Sequence, residues 1–587
     1  MMAMQFADPI EMQDRLFAEL SRMFGEEVPL YDRCLLVNHA CNRAVCDLLG
    51  MLHVGFKITD AQLDRTSGER HGAIRIGRDD EYRWVGRFFA CFGMEPHNFY
   101  DMTSVGAKSQ PVIATAFRST LHPQHRVFTS LLRPDYFDEE TRRRIEETLA
   151  SRAAFTARAK ALIEKREREG GLSEADGEAL IAEGVEKIFK WTGEALAFDL
   201  YEHLCASGFK IAADIVCFKA HHLNHLTPNT FCIDLYSTAM KYCMGEMDEA
   251  HFIERARHAL GHVLRRGDRD FVRLHFKHLT RAEIAGFEPG VPAPDAIDRL
   301  AWGLAERFRG EPFRLSELSH SGFKDLTEGP PAGVPVLLRQ DAYKALREAV
   351  NFTEKDGRRI ASTHTARFGE IEQRFYAVTA AGRALYDECL LAAERDADPE
   401  LARKDFEAYE RAYGRHFARF PRTLGELVDA GLVHARYEAT ERGIAQRGGI
   451  ETTDLRELRR LGYVEMEGRR YEDFLPVSAA GIFASNLSQY GTQSTARERR
   501  GYTQQELEAI LGREIIDAEV VYRGLSAASV LEAFGALGLL GRMDGKWRAA
   551  LEADAGRLPA GAAEGFAERS AAAASGAARG GSGGLRG

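Results

Sequence analysis

The sequence predicts an α+β protein. Two observations favour this class. Short segments at 71–76 and 125–132 have the alternation and composition of β-strands. The stretches 9–50, 139–205 and 240–325 are instead charged and helical in pattern.

The composition indicates an ordinary globular protein, and its charge argues against two classes of binding partner. Of the 587 residues, 45% are hydrophobic and 28% are charged. A formal net charge of -10 and a pI near 6.1 argue against general binding to nucleic acid or anionic membranes. The segment 1–20 lacks the apolar core of a secretory signal. The nine cysteines include no C-x-x-C pair, which favours reduced thiols and a cytoplasmic location.

In the first half of the chain, the predicted strands lead toward two histidine-containing segments. Because side chains alternate along a strand, His71, Ala73 and Arg75 share one face of the strand at 71–76. The apolar run at 209–219 predicts a buried strand that leads into the segment 222–228.

In the second half, the pattern predicts a strand at 334–339, a helix at 340–350 and a strand at 364–373. The last of these carries Glu370 and Glu372 on one face. A long amphipathic helix is predicted at 395–418. Two similar pieces, 424–438 and 455–467, each consist of a short helix, a glycine and an apolar strand, and 502–550 is mostly helical.

These patterns divide the chain into five predicted units. The N-terminal part of the α+β core covers 1–240, and a helical, histidine-rich insertion covers 241–328. The C-terminal part of the core covers 329–490, and a small helical appendage covers 491–551. The Ala/Gly-rich tail at 552–587 has few large apolar residues, so we expect it to be disordered.

Three distant segments carry the chemistry that we regard as most informative. They are H-G-A-I-R at 71–75, H-L-N-H-L-T-P at 222–228 and F-G-E-I-E-Q-R at 368–374. Two can each supply an imidazole and the third a carboxylate, which is the donor set of non-haem Fe(II) oxygenases. The chain has 19 histidines and 88 acidic residues, so residue types alone do not select this set.

Longer motifs add a family resemblance. Together with 222–228, four segments resemble the 2-oxoadipate dioxygenase/decarboxylase family, a divergent branch of the vicinal-oxygen-chelate group: H-G-A-I-R, L-L-R-Q, H-T-A-R-F-G-E-I-E-Q-R and Y-E-D-F-L-P-V-S-A-A-G-I-F. The match covers about residues 10–490, except the stretch near 240–325. It implies a curved mixed β-sheet in the form of a half-open barrel, surrounded by helices and interrupted by a helical insertion.

The resemblance also implies a ligand set for Fe(II). His71, His225 and Glu370 would bind the metal, with His222 as the nearest competitor of His225. From periodicity alone, Glu372 is equivalent to Glu370. The E-I-E-Q-R run is similar to the strand that carries the iron-binding glutamate in 4-hydroxyphenylpyruvate dioxygenase, and this similarity favours Glu370.

Three residues match family positions that contact the substrate. Arg75 would hold a substrate carboxylate through its guanidinium group, although an ordinary salt bridge is the alternative. Val477 and Ser478 would contact the substrate through backbone and hydroxyl groups, unless they only form a turn. For Arg367 and Gln373, structural pairing is favoured over a role in orienting metal ligands.

The activity implied is the Fe(II)-dependent conversion of 2-oxoadipate and O2 into 2-hydroxyglutarate and CO2, as in lysine catabolism. The alternatives are another metal-dependent oxo-acid dioxygenase, isomerase or lyase of the same fold, and a regulatory protein that senses a metabolite. The chain departs from the family pattern at Asn229, at 340–344 and at Phe375. None of these departures removes a proposed ligand, but they leave the oxo-acid substrate open.

Overall fold

The computed structural model describes residues 6–103, 109–324, 327–365, 367–396, 401, 405–475 and 501–558. The strands are, in chain order, β1 (His53–Val54), β2 (Arg70–Ile76), β3 (Glu95–Asp101), β4 (Val112–Arg118), β5 (His125–Leu132), β6 (Glu194–Leu196), β7 (His225–Pro228), β8 (Glu288–Pro289), β9 (Leu338–Ala342), β10 (Arg347–Thr353), β11 (Arg359–Thr365), β12 (Glu370–Arg374), β13 (Ala435–Ala439) and β14 (Val464–Gly468).

Helices surround these strands. They are α1 (Pro9–Glu27), α2 (Pro29–Leu52), α3 (Asp60–Ser67), α4 (Asp79–Ala90), α5 (Glu139–Ala150), α6 (Ala157–Glu169), α7 (Glu174–Glu183), α8 (Phe198–Ala206), α9 (Lys210–Cys217), α10 (Ile233–Cys243), α11 (Glu249–Arg266), α12 (Arg269–His275), α13 (Arg281–Ala285), α14 (Ala296–Phe308), α15 (Ala380–Asp396), α16 (Phe406–His416), α17 (Leu424–Asp429), α18 (Glu441–Ala445), α19 (Leu455–Arg460), α20 (Gln504–Leu511), α21 (Ala518–Ala536) and α22 (Gly545–Ala555). The mixture of helices and several sheets confirms the predicted α+β class.

The central sheet has five strands in the order β3-β4-β5-β2-β7. β2 runs parallel to β5 and antiparallel to β7. In this register Thr227 lies opposite His71, and His225 lies opposite Ala73. Because side chains alternate along a strand, these four residues project from the same face of the sheet.

The two faces of the sheet have different partners. On one face, Ile74, Val127 and Ile113 join the largest apolar cluster, which includes the buried residues of α1, α2 and α4. On the other face, Ala73 and Phe128 pack with the buried side chains of α9. Both faces are therefore covered, and polar side chains on the second face are removed from solvent.

A further pair of strands extends the sheet beyond β7. β9 and β12 are antiparallel to each other. Asn229 and Glu372 form a parallel bridge, and the backbone N–H of Thr230 donates to the carbonyl oxygen of Glu372 at 2.8 Å. The strands β2, β7 and β12 consequently lie side by side. Among the described residues, the strands do not close into a barrel.

Two local predictions are wrong. The run 209–219 contains the helix α9 rather than a strand. Its apolar residues Ile211, Ala212, Ile215 and Val216 suit a buried helix as well as a strand, because a short fully buried run has no diagnostic period. The segment 340–350 was predicted to be helical, but it contains the end of β9 and the start of β10. Pairing with β12 and β11 overrides its weak helical preference.

Other boundaries differ from the prediction without changing the element type. The strand predicted at 334–339 begins at Leu338. The strand predicted at 364–373 is two strands, β11 and β12. The helix predicted at 395–418 lies partly in α15 and partly in α16, and 397–400 and 402–404 fall outside the described residues. The two helix–glycine–strand pieces pair through β13 and β14.

The helical stretch predicted as an insertion packs against the rest of the core. Phe252 and Leu260 of α11 and Ala305 of α14 belong to the same apolar cluster as Leu48 of α2. At the other end of the chain, α22 extends to Ala555, beyond the predicted start of the tail. Residues 559–587 of that predicted tail lie outside the described residues. In the described part of the chain, no helix has both the length and the apolar character needed to cross a bilayer.

Arg152, in the segment after α5, connects α4 to α9. Arg152 pairs with Glu81 through two contacts of 3.0 and 2.6 Å, and it donates to the carbonyl oxygen of Ile215 at 2.6 Å. Burial alone raises the pKa of Glu81, but His221 and Arg152 outweigh burial and hold the pKa below its usual value. The ionised Glu81 is therefore the form that the fold stabilises.

We expect Glu81→Gln to lower the free energy of unfolding by about 3 kcal/mol at pH 7, because it leaves Arg152 buried without a counter-ion. Since folding lowers the pKa of Glu81, its contribution is present above the unfolded-state pKa near about 4.3 and is lost as the pH falls through the folded-state value. Urea unfolding at pH 7 and at lower pH measures the difference between variant and wild type, which should shrink on acidification. In the exposed pair with Arg143, Glu147→Gln is the control and should cost less than about 1 kcal/mol. Equal costs for the two variants would contradict the expectation.

Candidate metal centre

A compact polar group lies where β2, β7 and β12 run side by side. It consists of His71, His225 and Glu370, one from each strand, and all three side chains are buried. One potential ligand atom from each residue lies within 4.8 Å of the others. Nε2 of His71 is 2.9 Å from Oε2 of Glu370, and Nε2 of His225 is 3.4 Å from the same oxygen. The structure thus brings together the three residues that the resemblance implied.

The hydrogen bonding and charge of this group fit a divalent cation. Neither ring nitrogen of His225 nor Oε1 of Glu370 forms a hydrogen bond with a described residue, although all three atoms are buried. Buried polar atoms are nearly always paired, so such atoms require another partner. Burial lowers the pKa of His225 to about 4, which keeps its imidazole neutral near pH 7, as metal binding requires. Two imidazoles and one carboxylate suit Fe(II) and related divalent ions.

Glu372 lies behind His71 rather than within the group. Its Oε2 is 2.8 Å from Nδ1 of His71, while Arg374 pairs with both of its oxygens at 2.7 and 2.8 Å. Arg126 donates to Oε1 of Glu372 at 3.1 Å. Burial alone raises the pKa of Glu372, but Arg374 and His71 outweigh it and hold the pKa well below its usual range. Glu372 is thus an anion that fixes the orientation of the His71 ring and directs its Nε2 toward Glu370.

Several neighbours of the group were not singled out from the sequence. The hydroxyl of Thr227 donates to Oε2 of Glu370 at 2.9 Å. The ring of Phe474 stands edge-on to His71 with centroids 5.0 Å apart, and Phe368 lies 5.0 Å from the ring of His225. Thr227 could have been found because it follows His225 by two residues on a strand. Phe474 comes from a distant part of the chain; it lies in the motif Y-E-D-F-L-P-V-S-A-A-G-I-F, which was the available sequence signal for it.

Arg75 extends the polar face along β2. Its Nη1 donates to Oδ2 of Asp214 at 2.7 Å, and both side chains are buried. Its other guanidinium nitrogens form no hydrogen bond with a described residue. The charge of Arg75 also contributes to the low pKa of His225, after burial and the proximity of His71. Arg75 thus forms the buried salt bridge that the sequence analysis gave as the alternative, through one of its guanidinium nitrogens.

His222, the competitor of His225, belongs to a separate cluster around Asp214. Its Nε2 lies 3.1 Å from Oδ1 of Asp214, and Nε2 of His364 lies 2.9 Å from the same oxygen. Burial alone raises the pKa of Asp214, but His222 and Arg75 outweigh it and hold the pKa well below its usual range. Asp214 is the one charged residue within the apolar run 211–218. This isolated charge is the sequence feature by which Asp214 could have been recognised.

The remaining predicted site residues lie elsewhere. Arg367 pairs with Glu348 at 2.6 Å and with Glu27, and it contacts no member of the metal-centre group. Gln373 bonds the backbone of 231 and 233. Both contacts agree with structural pairing. Val477 and Ser478 lie outside the described residues.

A family model and two curated relatives match most of the chain. The sequence model of the 2-oxoadipate dioxygenase/decarboxylase family matches residues 16–258 and 315–486. The 2-oxoadipate dioxygenase/decarboxylase of Pseudomonas putida KT2440 is 34% identical over 533 residues, which cover 89% of this chain and 96% of that protein. The protein of the same name from Escherichia coli K12 is 32% identical over 522 residues, covering 87% of this chain and 95% of that protein.

A solved structure is similar over nearly the whole chain. The hydroxyglutarate synthase of Pseudomonas putida, crystallised in complex with 2-oxoadipate, superimposes with a TM-score of 0.66 at 32% identity. The similarity covers 92% of this chain and 100% of that chain. The extent of the family match and the identity to its members lead to one conclusion: the chain belongs to the 2-oxoadipate dioxygenase/decarboxylase family.

Proposed function

We propose that the protein is an Fe(II)-dependent dioxygenase that decarboxylates 2-oxoadipate. The overall reaction consumes one O2 and yields 2-hydroxyglutarate and CO2, with one oxygen atom entering the new carboxylate and the other the hydroxyl group. The observation that carries this proposal is the convergence of His71, His225 and Glu370 from three separate segments into one buried group. The relatives that share most of the chain carry the same activity in their names.

The three residues of the metal centre would hold Fe(II) through two imidazole nitrogens and one carboxylate oxygen. When bound, Fe(II) supplies the chelation of a 2-oxo acid and the activation of O2. Glu372 holds the His71 ring in place, and Thr227 orients Glu370. Phe368 and Phe474 pack against the two imidazoles and keep water away from them.

Arg75 would bind the carboxylate of the substrate that lies farthest from the metal. It follows His71 by four residues on β2, which corresponds to roughly 13 Å between their Cα atoms. The long side chain of Arg75 can cover part of that distance, and a six-carbon diacid can cover the rest. A guanidinium group offsets the cost of burying a carboxylate. For Val477 and Ser478, contact with the substrate is proposed on the family resemblance.

The finer architecture is proposed on similar grounds. The curved sheet β3-β4-β5-β2-β7, continued by β12 and β9, would form the half-open barrel of the vicinal-oxygen-chelate group. The stretch 241–328 would be a helical insertion, since the family model leaves 259–314 unmatched. The protein would act in the cytoplasm on a small 2-oxo acid and O2.

The proposal is tested by supplying protein loaded anaerobically with Fe(II), 2-oxoadipate and O2. We expect O2 uptake, CO2 release and 2-hydroxyglutarate formation in equal amounts. With labelled O2, the product should carry two labelled oxygen atoms. An iron-loaded protein that does not consume O2 with 2-oxoadipate would reject this substrate. Anaerobic consumption of 2-oxoadipate that yields a product other than 2-hydroxyglutarate would indicate an isomerase or lyase of the same fold instead.

A further inference from the structure

The segment 470–474 lies against the metal centre but belongs to none of its strands. Phe474, at the end of this segment, contacts the ring of His71, and the side chains of Glu472 and Asp473 are buried. Two carboxylates in such a position need dedicated partners, because an unpaired buried charge is strongly destabilising. The residues that pair with these carboxylates come from distant parts of the chain and connect those parts to the metal centre.

One route runs from this segment to His71 through Arg374. The guanidinium group of Arg374 donates to the carbonyl oxygens of Tyr471 and Asp473 at 3.1 and 2.7 Å. The same group pairs with both oxygens of Glu372, which in turn lies 2.8 Å from Nδ1 of His71. A shift in the backbone of 471–473 would therefore move Arg374 and Glu372 and tilt the imidazole.

The C-terminal appendage reaches this route through one side chain. Tyr522 lies on α21, and its hydroxyl donates to Oδ2 of Asp473 at 2.6 Å. The same hydroxyl accepts from the backbone N–H of Glu472 at 2.8 Å. Arg118 of β4 holds the other side of Asp473 at 3.0 Å. Tyr522 thus fixes both the backbone and a side chain of the segment.

The helical stretch 241–328 supplies a second, separate contact. Nζ of Lys277 lies 2.7 Å from Oε1 of Glu472. The other oxygen of Glu472 accepts from Nη2 of Arg126 at 2.7 Å, and Nη1 of Arg126 donates to Glu372 at 3.1 Å. Lys277 is therefore connected to the same nitrogen of His71 by a path through the buried residues Glu472, Arg126 and Glu372. It also lies 3.5 Å from Oε1 of Glu69.

We propose that Tyr522 and Lys277 are positioning residues of the metal centre. Each is connected to Nδ1 of His71 through buried residues, and each comes from a unit outside the strands that carry the three ligands. The inference rests on the proposed function only in taking His71 as a ligand. It assigns a role to the appendage and to the helical stretch: both fix the ring that directs Nε2 toward the metal.

The physical basis is that outer partners tune metal binding. Loss of a group that orients a ligating histidine typically weakens metal affinity 10- to 100-fold. Three residues separate Tyr522 from His71 along its path, and three separate Lys277 from His71, so a smaller effect is expected from each. Members of a buried polar network reinforce one another, so the effect should exceed that of an equivalent hydrogen bond elsewhere.

The first test uses Tyr522→Phe, which removes only a hydroxyl, in the full-length metal-free protein. Titration with Co(II), which suits the same donors and has a visible absorption spectrum sensitive to geometry, measures affinity and ligand arrangement. We expect about threefold to tenfold weaker Co(II) binding and an altered spectrum. Tyr82→Phe is the matched control, because Tyr82 is also buried but bonds Thr129 on the opposite face of the sheet, which packs against α1, α2 and α4. It should leave affinity within about twofold and the spectrum unchanged.

The second test uses Lys277→Met, with Lys165→Met as the control, since Lys165 of α6 is similarly exposed and pairs with Asp176 of α7. We again expect about threefold or greater weakening for Lys277→Met and none for the control. Both test variants behaving as their controls would overturn the proposal, even with a fully active wild type. A wild-type protein that binds Co(II) but does not turn over 2-oxoadipate would instead reject the proposed function. The Co(II) affinities of the variants would still test the positioning role.

Discussion

His71→Ala and Glu370→Ala should each abolish metal retention and turnover of 2-oxoadipate. Removing a partner that only orients a ligand costs 10- to 100-fold, so removing the ligand itself should cost more than about 100-fold in affinity. The measurement is the Fe(II) content after gel filtration of loaded protein, together with O2 uptake. Loss of His71 should also leave Glu372 buried without its imidazole partner, so folding is checked by circular dichroism.

His222→Ala is the matched control for this prediction. His222 lies three residues before His225 in the same segment and is equally buried, but it contacts Asp214 rather than the metal-centre group. We expect it to retain iron. Iron retention by His71→Ala together with its loss from His222→Ala would contradict the ligand assignment.

Arg75→Met should lower kcat/KM for 2-oxoadipate by about 100-fold or more. Truncating one partner of a buried, hydrogen-bonded charge pair costs about 2–5 kcal/mol, and each 1.4 kcal/mol corresponds to a tenfold change. The loss should appear mainly in KM if Arg75 binds the distal carboxylate in both the ground state and the transition state. Steady-state O2 uptake across a range of 2-oxoadipate concentrations provides the measurement.

A substrate without the distal carboxylate separates recognition from general damage. For 2-oxohexanoate, wild type and Arg75→Met should differ by no more than about threefold, because the contact that the variant loses does not exist with that acid. A loss of equal size with both acids would show that Arg75 acts by holding Asp214 and the surrounding cluster rather than by binding the substrate.

Two features of the metal centre could be judged from the sequence: the strand that carries His71, and the choice between Glu370 and Glu372. The strand at 71–76 was predictable because alternation places His71, Ala73 and Arg75 on one face, and the structure retains that arrangement. The choice of Glu370 over Glu372 did not follow from periodicity, since both project from the same face. It required the family resemblance, and in the structure only Glu370 lies near both histidines.

What could not be predicted depends on contacts between distant segments. The run 209–219 has no diagnostic period because it is buried all round, so the helix α9 was mistaken for a strand. The role of Asp214 follows only from the folded structure, in which α9 places it beside Arg75 and two histidines. Likewise, Tyr522 and Lys277 approach the metal centre from distant positions in the chain, and no local pattern could link them to it.

The proposed function requires one metal ion bound by three side chains, and a crystal structure of the Fe(II)-loaded protein, with data collected at the iron absorption edge, tests this directly. We expect a single anomalous peak within bonding distance of Nε2 of His71, Nε2 of His225 and a carboxylate oxygen of Glu370. In crystals soaked with 2-oxoadipate, density for the diacid should join that peak to Arg75. A peak at another position, or bound by Glu372 in place of Glu370, would contradict the account.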